Sequence, residues 1–288
     1  MINPQTKLYQ LTETSKFMMS FVLVTREDNV IVIDGGRPED MPLLKEYIGG
    51  RHISAWILTH AHSDHISGFI DEWEKNRLAD FDLEKVYYNF PPLSWKENHN
   101  VPDYRYLCAE VDEMLPAFYA LEPHLGDRAH VSVQGECITV DEVRIDFIYS
   151  WHDGLFANPM NDASLVFKVY GPEKTVLFLG DLGPDGGDVL FRESRHLLKS
   201  DIVQMAHHGH MNVSMEVYAE IMPEACMWCC ADWLYNEPEV PSYLADGESL
   251  RRRGRIRMYG TAVTRKWMDI LGVRTHYVTK DGTNEIII

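Results

Sequence analysis

No apolar run in this sequence approaches the roughly 20 residues a membrane-spanning helix needs, which excludes the helical membrane classes. No Pro-, Ser- or Gly-rich linker divides it either. Although 288 residues would allow two domains at about 100–200 each, a single domain over 1–288 is the economical expectation. Internal repeats and low-complexity tracts are lacking. The opening Met1-Ile2-Asn3-Pro4-Gln5-Thr6-Lys7 lacks a basic start followed by a hydrophobic core, so a cytoplasmic protein is expected. Cysteine is scarce and odd in number. Cys108, Cys137, Cys226, Cys229 and Cys230 suit reduced, largely buried thiols better than disulfides, and Cys226-Met227-Trp228-Cys229 has no second pair to complete a zinc ribbon. Cations are outnumbered, 27 Lys and Arg against 44 Asp and Glu, for a formal net charge of −17. That balance argues against long nucleic acid and for a small substrate. The basic run Arg251-Arg252-Arg253-Gly254-Arg255-Ile256-Arg257 is the exception and reads best as a solvated face.

What the chain does have is concentrated at Thr59-His60-Ala61-His62-Ser63-Asp64-His65, directly after the apolar Ala55-Trp56-Ile57-Leu58. If Ile53 to Leu58 is a buried strand, two-residue alternation carries His60 and His62 out on one side, so two imidazoles converge on one cation. Asp64 and His65 fall where Ile66, Phe69, Ile70 and Trp73 begin a helical pattern, which sets a carboxylate and an imidazole beside the first pair and makes room for a second cation. A polar loop with unrelated histidines is the ordinary alternative, but such loops rarely take this form after a buried strand.

Two later segments repeat the arrangement. Val176-Leu177-Phe178-Leu179 and Ile202-Val203-Gln204-Met205 suit buried strands, and each is followed by metal-capable side chains: Asp181 after Gly180, and His207-His208-Gly209. Asp181 alone would more often cap a turn. Its company makes convergence the better reading. His207 is the expected ligand. His208 points the other way on an extended backbone, so it is the alternative ligand or a side chain near the substrate.

Taken together these segments resemble the metallo-β-lactamase superfamily, whose hallmark is His-x-His-x-Asp-His on the loop after a strand. Ile31-Val32-Ile33-Asp34-Gly35-Gly36 resembles its early strand, ending in an Asp that braces the metal loop. Leu177-Phe178-Leu179-Gly180-Asp181 resembles the strand whose Asp bridges two metals, and Asp201 to Gly209 the late strand supplying the last histidine. The resemblance spans roughly 17 to 215. It implies an α/β (α+β) four-layer αβ/βα sandwich and metal-assisted hydrolysis with two divalent ions, zinc or manganese, with iron also allowed. In that scheme His60 and His62 hold the first ion, Asp64, His65 and His207 the second, and Asp181 bridges them. Asp64 also orients the nucleophile, and His208 stabilises charge or protonates the leaving group.

The histidine usually found before the next strand is absent; Pro159-Met160-Asn161-Asp162-Ala163-Ser164 stands there. Asn161, Asp162 or His152 would have to complete the first site, or nothing does, and an oxygen ligand there favours a harder ion such as manganese. Asn161-Asp162-Ala163-Ser164 with Ala206-His207-His208-Gly209 is similar to the branch holding the hydrolase domain of DNA-uptake channel (competence) proteins and the phosphorylcholine esterases. That branch implies phosphodiester or phosphomonoester substrates. Carboxyl-ester, thioester or lactam hydrolysis is the alternative within the superfamily, and a non-catalytic binding protein with a decayed site the alternative outside it.

Strands are expected at Lys7–Thr12, Ser20–Thr25, Val30–Asp34, Ile53–Leu58 and Val86–Phe90, with helices at Pro38–Tyr47 and His65–Leu78. Residues 91 to 128, with a helix over Tyr104–Leu121, read as an insertion roofing the site. Trp95, His99, Tyr104 and Tyr106 there more often anchor than bind; Trp151 and Phe156 are better placed for substrate. The end reads as a strand at Arg255–Met258, a helix at Thr264–Leu271 and a hairpin around Asp281-Gly282.

Overall fold

Val30 to Asp34 is apolar at successive positions because the strand is covered on both faces: Val30 and Val32 join one core, Ile31 and Ile33 another. That pattern recurs through a computed structural model describing residues 4–94, 113–153, 158–239 and 259–288. The strands are β1 (Lys7–Gln10), β2 (Ser20–Val24), β3 (Val30–Asp34), β4 (Ile53–Ile57), β5 (Val86–Tyr88), β6 (Ala129–Val131), β7 (Cys137–Val140), β8 (Val143–Tyr149), β9 (Val166–Tyr170), β10 (Thr175–Phe178), β11 (Ile202–Gln204), β12 (Ala225–Trp228), β13 (Thr275–Val278) and β14 (Asn284–Ile287). They form two mixed seven-stranded sheets, ordered β14-β1-β2-β3-β4-β5-β6 and β13-β12-β11-β10-β9-β8-β7.

Each sheet has a parallel half, β3 to β6 in one and β10 to β13 in the other, whose crossovers carry helices. Among the described residues these are α1 (Met41–Ile48), α2 (Ser63–Glu74) and α3 (Met114–Leu125) on the first sheet. The short α4 (Pro159–Asp162) precedes β9. Then come α5 (Pro184–Ser194), α6 (Met215–Ile221), the short α7 (Asp232–Tyr235) and α8 (Thr261–Leu271). The sheets bury their inner faces against each other, Phe21 meeting Phe178 edge-on at 5.0 Å between ring centroids. Such a pair adds about 0.5–1.5 kcal/mol to the burial of its area. The outer faces pack on the helices, giving the expected four-layer αβ/βα sandwich. Glu72, buried at the end of α2, takes Lys45 of α1 and Arg77 as counter-charges at 2.6 Å each, fixing the helix that starts in the histidine cluster.

One expectation needs revision, and others fall partly outside the described residues. Residues 114–125 of the segment read as a roofing insertion form the β5–β6 crossover helix, with Leu115, Phe118, Leu121 and Leu125 buried; 95–112 lie outside the described residues, as do Trp95, His99, Tyr104, Tyr106, Cys108 and Phe156. The final hairpin does not form. β13 pairs with β12 in one sheet and β14 with β1 in the other, and a 3-10 turn at Thr279–Asp281 leads into Gly282, whose φ of 112° starts the crossing. The strand expected at 255–258 and the basic run 251–257 also lie outside the described residues. Cys226, Cys229 and Cys230 are buried and free, and Cys137 is free and exposed. No described helix is long and apolar enough to cross a membrane.

Candidate metal centre

Open α/β sheets present side chains at the carboxyl ends of their parallel strands. Here two such edges face each other. Asp34 ends β3, the loop His60 to His62 follows β4, Asp181 follows β10, and His207 and His208 follow β11.

Asp34 is fully buried, with Oδ1 accepting the Thr59 amide at 2.7 Å and Oδ2 accepting the Thr59 hydroxyl at 2.8 Å. The same Oδ2 lies 2.8 Å from His65 Nδ1, so it fixes that proton on Nδ1 and turns Nε2 toward the opposite sheet. The Asp34 main-chain oxygen accepts Trp56 Nε1 at 2.9 Å, tying the brace to β4. Burial pushes the Asp34 carboxyl above its ordinary range, with His65 and Thr59 pulling the other way.

Two donor groups converge on Asp181. In one, His60, His62 and Asp181 offer ligand atoms within 4.8 Å of one another; His60 Nε2 lies 3.1 Å from His62 Nδ1 and 3.7 Å from Asp181 Oδ2. In the other, Asp64, His65, Asp181 and His208 do the same. His208 Nε2 lies 3.1 Å from Asp64 Oδ2 and 3.4 Å from Asp181 Oδ2, and His65 Nε2 lies 3.3 Å from Asp181 Oδ2. Gly180, at φ 56°, makes the turn that delivers Asp181, whose amide donates to Ser164 Oγ at 3.0 Å; a Cβ on Gly180 would press on Ser164.

Of the two late histidines, His207 is the expected ligand and His208 the alternative; the geometry groups His208 with Asp64, His65 and Asp181. The premise of an extended backbone fails. His207 (φ 48°, ψ 48°) and His208 (φ 56°, ψ 10°) are consecutive left-handed residues, so the chain turns and aims His208 at Asp64 and Asp181. Left-handed backbone at a non-glycine costs on the order of 1 kcal/mol per residue, and such strain persists where surrounding contacts hold it. The holding contacts are at hand: His207 N donates to Gly180 O at 3.1 Å, and His208 Nδ1 donates to Cys229 O at 2.7 Å. A Cβ on Gly209 would collide with the Trp228 ring, leaving glycine there.

His207 takes a different place. Its Nδ1 lies 3.3 Å from Met211 O and so carries the proton, leaving Nε2 to accept the Asn161 side-chain amide at 3.1 Å. Burial, then His210, pulls His207 down to about 3, so its imidazole is neutral. The hydrogen bond sets the Asn161 amide with nitrogen toward His207, and Asn161 Oδ1 is left buried without a partner. Of the other candidates for the missing first-site donor, Asp162 turns to α5, its Oδ1 accepting Gly186 N at 2.9 Å, and burial pushes it up to about 7. His152 faces Glu193 at 3.9 Å and Tyr149, outside both groups.

The donor set suits divalent ions that take nitrogen and oxygen ligands. Two of its buried atoms, His65 Nε2 and Asp181 Oδ1, make no hydrogen bond, and orphaned buried groups of this kind are costly unless something coordinates them. Protonation tells the same story. Burial pulls His208 down, but Asp181 and Asp64 outweigh it and hold the imidazole up at about 10. Burial likewise opposes, and Asp181, Asp64 and Asp34 overcome, a shift of His65 well above its ordinary value. Burial raises Asp64 and Asp181, yet the facing imidazoles bring both below the usual carboxylate range.

A cation entering here must displace those imidazole protons. We therefore expect metal affinity to fall as pH is lowered from about 9 to about 6, by up to ~10-fold per pH unit for each proton displaced. Chelator competition across that range checks it; a flat profile contradicts it.

Some participants carried no readable signal. Phe17, which meets His208 edge-on at 5.0 Å, and the Cys229 carbonyl lie far from His208 in sequence and have no motif of their own. Thr59 and Ser164 stand inside the motifs, and their hydroxyl contacts were the part that spacing could suggest.

By sequence, no curated protein matches the chain significantly. By structure, it is similar to the metallo-beta-lactamase fold protein YhfI from Bacillus subtilis, at TM-score 0.55 and 11% identity over 98% of this chain and 100% of that one. It is also similar to a CmlA beta-hydroxylase variant, at TM-score 0.53 and 11% identity over 99% of this chain and 54% of that one, so it spans about half of the latter. Identities this low carry the fold alone, and the two descriptions name different kinds of protein. The sequence model of the Metallo-beta-lactamase superfamily matches residues 17–222, the stretch containing both facing strand edges and every donor above; the chain belongs to that superfamily.

Proposed function

We propose that the chain is a metal-dependent hydrolase of phosphate esters. The observation that carries the hydrolase reading is the sharing of Asp181 Oδ2 between two donor groups, one with His60 and the other with His65 and His208. His60 and His62 would hold one divalent ion, zinc or manganese, and Asp64, His65 and His208 a second, with Asp181 between them. Asn161 Oδ1, oriented by His207, is the candidate to complete the first. When bound, such ions lower the pKa of water toward neutrality and polarise a substrate oxygen.

The chain's own residues supply positioning. Asp64 orients the attacking water and accepts its proton. Asp34 holds His65 in one tautomer, and Cys229 O does the same for His208. With Nδ1 committed to a carbonyl and Nε2 holding an ion, His208 would have no proton left to give. On this reading His208 is a ligand and not the leaving-group acid.

Support for phosphate over carbonyl substrates comes from the Asn161–His207 contact: the two short motifs that mark the phosphoesterase-like branch form one unit beside the site. The test is a panel of bis(p-nitrophenyl) phosphate, p-nitrophenyl phosphate, p-nitrophenyl acetate and a chromogenic lactam, assayed on protein stripped and reloaded with manganese or zinc. Metal-dependent turnover confined to the phosphate esters is expected; preference for acetate or lactam would replace this reading with the carbonyl one.

A further inference from the structure

Arg37 stands three residues beyond Asp34, against the loop that opens α2. Its Nη1 donates to Ser63 Oγ at 2.9 Å, and Ser63 lies between His62 and Asp64 at the start of α2. Its guanidinium carbon is 5.8 Å from the centroid of Phe17, whose ring packs edge-on against His208 at 5.0 Å and against Trp233 at 5.7 Å. Arg37 therefore touches a neighbour of each donor group.

In a chain with 44 acidic residues, no carboxylate among the described residues is within ion-pair distance of this guanidinium. Asp40, three residues on, is committed elsewhere: it accepts the Arg37 main-chain amide at 2.9 Å and the amide and hydroxyl of Thr14. Arg37 Nε is buried and makes no hydrogen bond. A half-buried guanidinium normally spends its planar fork on a carboxylate or phosphate, and an unspent one calls for an explanation.

We propose that Arg37 is the anion clamp of this site. It takes an oxygen of a tetrahedral oxyanion through its uncommitted guanidinium N–H groups, while Phe17 and Trp233, the latter 57% exposed, wall the organic part of the ester. This deepens the phosphate-ester reading and rests on it for the identity of the anion. Arg37 is then a specificity-determining residue, selecting anionic over neutral esters by an unpaired charge that only an anion satisfies.

The probe is inorganic phosphate, titrated calorimetrically into manganese-loaded wild type, Arg37→Met and Arg37→Lys, with bound metal measured on the same samples. The expected result is binding about 10-fold or more weaker in Arg37→Met and intermediate in Arg37→Lys, at unchanged metal content. Equal binding in Arg37→Met, no binding by wild type, or metal loss from Arg37→Met each overturns the clamp. The two readings separate cleanly. Arg37-dependent phosphate binding without turnover of any phosphate ester sinks the proposed reaction and leaves the clamp; turnover with Arg37-independent binding does the reverse.

Discussion

Asp181→Ala is expected to strip both proposed cation positions at once. The shared Oδ2 is the atom on which His60, His65 and His208 converge, at 3.7, 3.3 and 3.4 Å. Its removal leaves each remaining group one donor short and takes a counter-charge from the buried imidazoles, His65 and His208 keeping only Asp34 and Asp64. Losing a residue that merely supports a metal ligand costs about 10–100-fold in affinity or rate, so loss of a shared donor is expected to exceed ~100-fold in turnover, together with most of the bound metal. Elemental analysis after desalting and single-substrate kinetics read the two effects. A variant that keeps full metal content would show that Asp181 is a bystander to two independent sites. Asp181→Asn is the companion control, since it keeps the shape and removes the charge.

The second large effect separates the two late histidines. His208→Ala removes a donor whose Nε2 lies 3.1 Å from Asp64 and 3.4 Å from Asp181, so it should lower metal content by about half and rate by more than ~100-fold. His207→Ala should spare that position and loosen the other, because it releases Asn161 from its orientation at 3.1 Å; a loss of ~10–100-fold in first-site affinity is the scale for an orienting partner. Metal titration of both variants decides it. The opposite pattern, with metal lost in His207→Ala and retained in His208→Ala, would restore the assignment that an extended backbone implies.

That pair of histidines marks the boundary of what the sequence made legible. The first cluster could be read because its geometry is local: β4 ends at Ile57 and alternation plus a helix start at Ser63 place His60, His62, Asp64 and His65 without reference to the rest of the chain. Asp34 and Asp181 were legible as acids at the ends of apolar runs, which became β3 and β10. The His207-His208 pair was not, because its direction depends on two successive left-handed residues stabilised by Gly180 O and Cys229 O, and such contacts leave no periodicity. The last two strands failed for a related reason. A turn signal at Asp281-Gly282 is the same whether the chain folds back on its neighbour or crosses to another sheet, and only the unpaired edge of β1 decides for the crossing. Arg37 carries no motif at all; it matters through what it does not pair with, a property visible only once the fold has placed the carboxylates.

The most direct test of the account is the number of metal equivalents bound per chain after reconstitution of stripped wild type with excess manganese or zinc and removal of the unbound ion. Two donor groups sharing one carboxylate predict about two equivalents, released together in Asp181→Ala. One equivalent or fewer, or two that survive that substitution, would contradict a centre built around Asp181.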